Sequence, residues 1–283
     1  MSTVIAPSQL STSSAQAAQP GALIIHTAIL TGRHLRAFMR MPVYLVMNLV
    51  QPIIWLLLFG QLFKSVINIP GFASAGVNRA GSYLEYLTPG IVMMMALFGA
   101  AWAGTTYIDD MNRGVMDRFL TSPTSRVGLV ISTMLYQAVL TILQTLIVLG
   151  VAWWAGARFD GGVGGILILL VSAVLLTFVF SAFSNAIALL ARTQTALIGI
   201  SQLISLPLMF LSSAIMNTKL SPAWVGNVAH YNPFEWAVVA GRQALQSAPD
   251  LGAIWANLGL LAALVVVMTW LATLAFRSYQ RSA

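Results

Sequence analysis

The sequence predicts an all-α integral membrane protein with six transmembrane helices, and three observations carry that prediction. Only 7% of the 283 residues are charged, while 58% are hydrophobic, against about 25% charged residues in an ordinary soluble domain. So little charge cannot cover a water-facing surface without leaving large apolar patches, so a soluble enzyme is excluded and the bilayer is the main solvent. The charges that do occur are separated by long gaps: 23 residues between Arg40 and Lys64, 23 between Glu85 and Asp109, 31 between Arg126 and Arg158, 31 between Asp160 and Arg192, 26 between Arg192 and Lys219, and 26 between Asp250 and Arg277. Each gap exceeds the ~20 residues with which a helix crosses ~30 Å of hydrocarbon. Finally, these runs are continuously apolar, without the alternation of barrel strands, and backbone groups in lipid must find partners within their own segment, as a helix allows.

Taken in order along the chain, residues 1–20 are rich in Ser, Thr, Ala and Gln, with no charge and no apolar periodicity. They read as a disordered tail, and they lack the basic start and apolar run of a signal peptide. Residues 22–40 interleave Leu23, Ile24, Leu30, Leu35, Phe38 and Met39 with His26, Arg33, His34, Arg36 and Arg40. That pattern predicts an amphipathic helix lying at the membrane interface, its arginines near anionic headgroups. Composition leaves open whether it is a simple anchor or a docking surface. The spans are expected near 43–63, 89–108, 129–151, 165–190, 195–215 and 253–276.

Six spans return both termini to one side, and Lys and Arg choose which side. Arg33, Arg36, Arg40, Arg113, Arg118, Arg126, Arg192, Arg277 and Arg281 fall on the side of the termini, against Lys64, Arg79, Arg158, Lys219 and Arg242 opposite. Nine against five predicts cytoplasmic N- and C-termini, so most of the net charge of +7 marks topology and gives no support for nucleic-acid binding. On the outer side, residues from Lys219 to Asp250 carry Trp224, Tyr231, Phe234 and Trp236, punctuated by Pro222, Pro233 and Pro249. Aromatic rings favour the headgroup level, and a short re-entrant or interfacial helical hairpin is expected before the last span.

Chemistry is sparse. There is no cysteine, which excludes disulfides and thiolate metal or redox centres. The expected spans contain no Asp, Glu, Lys or Arg, and His26, His34 and His230 lie outside them. No zinc-protease spacing, nucleophile elbow or phosphate-binding loop with its Lys-Ser/Thr is present, so catalysis and nucleotide binding by this chain are not expected, and neither is a bound metal or cofactor. Glu85 and Glu235 sit at outer edges, where a gate or a capping carboxylate would fit. Lacking a protonatable residue at the midplane, the chain is a poor proton-coupled transporter. An ATP-driven machine would need a separate ATPase and a cytoplasmic handle.

The loop between the second and third spans is the candidate handle. Residues 109–126 hold six of the 21 charges. Asp109, Asp110 and Asp117 lead, Arg118 follows, and Val115, Phe119 and Leu120 can form one apolar face, an arrangement that suits a short amphipathic helix. Pro123 ends it by disfavouring helical geometry at Ser122. With Arg113-Gly114 followed by Ser122-Pro123-Thr124-Ser125-Arg126, this loop resembles the cytoplasmic signature of ABC-2 type permeases, the membrane subunits of one class of ATP-binding-cassette exporters. Tyr86-Leu87-Thr88-Pro89-Gly90, Leu220-Ser221-Pro222-Ala223-Trp224, Tyr231-Asn232-Pro233-Phe234 and Arg242 also resemble that family, and the daunorubicin-resistance type in particular.

The resemblance implies that residues 21–283 form the family's transmembrane domain. It implies a dimer, with a second copy or a sister permease, seated on two copies of an ATPase subunit that carries ATP and Mg. The loop would be the ATPase-coupling helix (Asp109, Asp110, Arg113, Gly114, Asp117, Arg118, Phe119, Leu120, Pro123, Arg126), and Arg33, Arg36, Phe38 and Arg40 would belong to the interfacial connecting helix. Among span residues, Met94, Phe98, Gln202, Met209 and Phe210 are the candidate pathway, since thioethers and rings adapt to varied apolar molecules. Asn48, Gln51, Gln137, Gln144, Asn185 and Ser205 are further polar groups that bridge helices or line a path. The expected function is a permease in the cytoplasmic membrane exporting amphipathic drugs or lipids. The alternatives are a polysaccharide or teichoic-acid exporter of the same architecture and an ion-coupled secondary transporter.

Overall fold

The computed structural model describes residues 20–40, 42–63, 83–116, 126–215 and 222–282. Its helices are α1 (Pro20–Met39), α2 (Pro42–Leu62), α3 (Tyr83–Ala101), α4 (Thr105–Asn112), α5 (Arg126–Trp154), α6 (Gly162–Ala191), α7 (Gln194–Phe210), α8 (Ala223–Ala229), α9 (Pro233–Ala244) and α10 (Leu251–Ser282). No strand occurs among the described residues. Four segments are long and apolar enough to span a membrane: Tyr83–Asn112, Gly128–Trp154, Gly162–Ala191 and Leu251–Tyr279. Two shorter apolar helices, Val46–Leu62 and Gln194–Phe210, accompany them. At 1.5 Å per residue, the 17 residues of α7 extend about 26 Å, close to the hydrocarbon thickness. The expected tail falls outside the described residues, apart from Pro20, which opens α1.

Helix α6 is the central post, packed by α3, α5, α9 and α10. Its buried face alternates Leu169, Leu176 and Phe180 with Ser172, Ala173, Thr177, Ser181, Ala182, Ser184 and Ala188. Small residues let backbones approach closely, which is how helices associate where lipid removes the hydrophobic drive between them. Leu30 of α1, Tyr107 and Ile108 of α4, Leu197 of α7 and Phe276 and Tyr279 of α10 share one cluster. Helix α1 and the last turns of α10 therefore lie at the same end of the bundle, as an even number of crossings requires.

Two expected spans are corrected. The second, expected at 89–108, begins at Tyr83 and breaks at Trp102–Gly104 before resuming as α4. The groups freed by the break find hydroxyl partners on other helices: Ala101 O accepts from Ser184 Oγ at 2.7 Å and from Ser201 Oγ at 2.9 Å, and Gly104 N donates to Ser184 Oγ at 2.9 Å. Broken helices survive at membrane depth on this condition. The fifth span, expected at 195–215, ends as helix at Phe210, and residues 211–215 run unwound. Asn232 holds that end: its Nδ2 donates to Leu208 O at 2.6 Å and Leu211 O at 2.9 Å, while its Oδ1 accepts from Phe234 N and caps α9. Replacing Asn232 with Ala removes all three bonds and should cost about 2–3 kcal/mol, one cap plus two bonds to buried carbonyls. Thermal unfolding in detergent would show the lowered midpoint.

The expected hairpin is α8 and α9, but only α8 is superficial, with Trp224 59% exposed. Helix α9 is packed within the body against α3, α6 and α10. Glycines admit it: a Cβ at Gly161 or Gly165 would collide with the Ala244 carbonyl, and Gly161 N donates to Leu245 O at 3.1 Å.

Candidate functional site: a membrane-depth cavity and the contacts at its two ends

Helices α2, α3, α5 and α7 enclose a cavity of about 700 Å³, with α1 and α4 at one end. Met94, Phe98, Gln202, Met209 and Phe210 all line it. Helix α3 contributes Met94, Met95 and Phe98 from a largely buried face, α7 contributes Gln202, Leu206, Met209 and Phe210, and α2 contributes Met47, Asn48, Gln51 and Trp55. Helix α5 contributes Tyr136, Gln137, Leu140 and Gln144, whose spacing of three, four and seven puts them on one face. Asn185 and Ser205 are buried elsewhere, and the Asn185 amide donates to Thr133 Oγ1 at 2.9 Å.

The end near α1 carries the charges. Arg33 pairs with Asp110 at 3.0 Å, tying α1 to α4, and Gln194 Nε2 donates to Asp109 Oδ1 at 2.9 Å, tying α7 to the same short helix. Asp109 and Asp110 thus belong to α4. Arg113 caps α4 and reaches the cavity, and Gly114 follows in a left-handed conformation (φ 66°) that favours glycine. Asp117, Arg118, Phe119, Leu120 and Pro123 lie outside the described residues, and Arg126 opens α5 without a described side chain. On and just after α1, Arg36 and Arg40 are exposed, and the side chain of Phe38 is outside the description. His34 sits against Tyr136 with ring centroids 5.5 Å apart. Its pKa is held below the usual histidine value chiefly by burial, then by the neighbouring Arg33 charge, with Asp110 opposing, so the ring is mostly neutral at pH 7.

The opposite end is closed by a polar knot around residues 213–215. Arg242 of α9 donates to Ser213 Oγ at 2.9 Å, Ser213 O at 2.9 Å and Ala214 O at 3.3 Å, and lies 3.8 Å over the Tyr86 ring. Tyr86 OH donates to Ser213 O at 2.8 Å, Tyr83 OH to Ile215 O at 2.9 Å, and Ser213 N to the buried Glu235 carboxylate at 2.6 Å. Glu85 accepts from Arg158 N at 2.9 Å. Both outer glutamates are therefore capping acceptors here.

Reading by residue type missed His34, Trp55, Trp102 and Tyr136 on the cavity wall. The face shared by Tyr136, Gln137 and Gln144 was the available signal for one of them. Among the described residues no group of three or more His, Cys, Asp or Glu converges as a metal site.

Comparison with known proteins agrees with this architecture. The family model described as ABC-2 type transporter matches residues 26–245. The daunorubicin resistance ABC transporter permease protein DrrB1 of Streptomyces coeruleorubidus is 27% identical over 256 residues, covering 88% of this chain and 83% of that protein. The putative transport permease ycf38 of Cyanophora paradoxa is 28% identical over 200 residues, 70% of this chain and 67% of that protein. The probable doxorubicin resistance ABC transporter permease protein DrrC of Mycobacterium tuberculosis is 25% identical over 228 residues, with coverage of 81% and 79%. With apolar helices of spanning length, a match over most of the chain and relatives that are permeases, this multi-pass protein of the cell membrane belongs to the ABC-2 type transporter family.

Proposed function

We propose that this chain is the membrane subunit of an ATP-driven exporter that moves amphipathic drugs or lipids outward. In this reading it works with two copies of an ABC ATPase, which hold ATP and Mg, and with a second permease copy or a sister chain. Both termini and the α4 end face the cytoplasm, as the distribution of Lys and Arg favours. The observation that carries the reading is the cavity: about 700 Å³ suits one drug-sized molecule, and thioethers, rings and amides line it together. Relatives named for daunorubicin and doxorubicin resistance support drugs as the cargo.

The path of force follows from the contacts of α4. A push on the segment after Gly114 reaches α4 first. It then passes to α1 through Arg33–Asp110 and to α7 through Asp109–Gln194, both of which border the cavity. Small displacements at such a lever shift packed helices between discrete arrangements.

Transport in proteoliposomes containing this chain and its ATPase tests the reading: vanadate should stop it and a protonophore should not. The reverse pattern overturns it. Replacing Arg118 and Phe119 together with Ala should leave membrane insertion and ATP hydrolysis intact while export falls about a hundredfold, the loss of roughly 3 kcal/mol of coupling. Unaltered export by that variant would show that the handle lies elsewhere.

A further inference from the structure

The cavity wall is chemically divided along its length. At the α1–α4 end stand Arg113 and His34. Because His34 is held mostly neutral, the standing positive charge there is that of Arg113. No carboxylate appears in the lining among the described residues, and the two acids of α4 are engaged, Asp110 by Arg33 at 3.0 Å and Asp109 by Gln194 at 2.9 Å.

Deeper in, Gln137 and Gln144 project from α5 two turns apart, about 10 Å along the axis. They are 7% and 9% exposed, and among the described residues neither amide has a hydrogen-bond partner. Gly99 leaves room for the first of them, since a Cβ there would lie 2.9 Å from Gln137 Nε2. A buried amide with no partner costs roughly 1–3 kcal/mol. Two such amides facing one cavity leave donors and acceptors open to a molecule within it. Met94, Phe98, Met209 and Trp55 supply the apolar wall beside them.

A cationic head would meet Arg113 with no countercharge in the described lining. A phosphate or carboxylate would accept the guanidinium fork, in charge-assisted bonds about twice as strong as neutral ones. Resting on the export reading above, the geometry points to an amphiphile with an anionic head group as the molecule this cavity takes. Its head lies toward Arg113, its next polar groups on Gln137 and Gln144, and its apolar body lies among Met94, Phe98 and Met209.

The test uses the full chain in zwitterionic-lipid nanodiscs and quenching of tryptophan fluorescence, with Trp55 and Trp102 on the wall as reporters. Three probes share one brominated alkyl chain and differ only in their head: phosphate, maltoside or trimethylammonium. The phosphate amphiphile should quench at concentrations about tenfold lower than the cation. Arg113→Gln should abolish that preference and Arg113→Lys should retain most of it, while Gln137→Leu with Gln144→Leu should weaken the phosphate and maltoside probes alike.

Equal quenching by all heads, or preference for the cation, overturns the inference. So does selectivity that survives Arg113→Gln, which would mean partition into the bilayer alone. Competition by inorganic phosphate as effective as by the amphiphile would assign a free-anion site instead and overturn it too. Lost selectivity with vanadate-sensitive export intact defeats this inference alone. Selectivity without any ATP-dependent export defeats the export reading.

Discussion

Gly104→Leu should leave no folded, monodisperse permease after detergent extraction. Gly104 ends the break between α3 and α4, its N–H donates to Ser184 Oγ at 2.9 Å, and a Cβ there would collide with the Ser184 carbonyl and crowd Ala188 at 2.8 Å. Both neighbours belong to the central helix, so nothing flexible can yield, and overpacking at a rigid backbone contact costs several kcal/mol, of the order of total stability. Size-exclusion profiles of the solubilised protein give the readout. Gly259→Ala is the control: a Cβ at Gly259 meets nothing within 4 Å, and the helix interior should gain up to about 1 kcal/mol. A folded Gly104→Leu protein would mean that α3 and α6 do not meet here.

Arg242→Met should lower the thermal midpoint sharply and loosen the end of the bundle opposite α1. The guanidinium satisfies Ser213 and Ala214 in the unwound stretch and stacks on Tyr86, while Glu235 takes the Ser213 N–H one face away on the same helix. Methionine matches the stem but leaves two carbonyls short of donors and Glu235 without its cationic neighbour. Together these should cost about 3 kcal/mol, by the measure of hydrogen bonds to charged groups. Lysine should rescue little, because a point charge can neither fork across two carbonyls nor lie flat on a ring. Protease accessibility near residues 211–215 should rise in parallel, and an unchanged midpoint would remove the knot from the account of stability.

How much of this was legible depended on where each element finds its partners. Helices α5, α6 and α10 were readable because long uncharged runs of Leu, Val and Ile have one good conformation in lipid. The end of α7 was not, because what stops it is Asn232, Glu235 and Arg242, residues twenty and more positions away. The break at Trp102–Gly104 was hidden for the same reason. It is tolerated only because Ser184 and Ser201, on two other helices, take up its backbone groups.

The site divides similarly. Residue type alone picked Met94, Phe98, Gln202, Met209 and Phe210, and packing sets them on one wall. His34 and Tyr136 gave no local signal, since their place depends on how α1 crosses α5. Asp109 and Asp110 read as part of an exposed handle, whereas in the fold their carboxylates fasten α4 to α1 and α7.

By itself, the sequence determined the solvent of this protein, the number of apolar runs and the uneven distribution of positive charge, because transfer free energies and charge placement are properties of the chain. Only the tertiary structure decided where those runs break, which amides stay unpaired and which glycines a neighbouring carbonyl fills. Those outcomes belong to pairs of groups far apart in sequence, and no single segment contains both members of a pair.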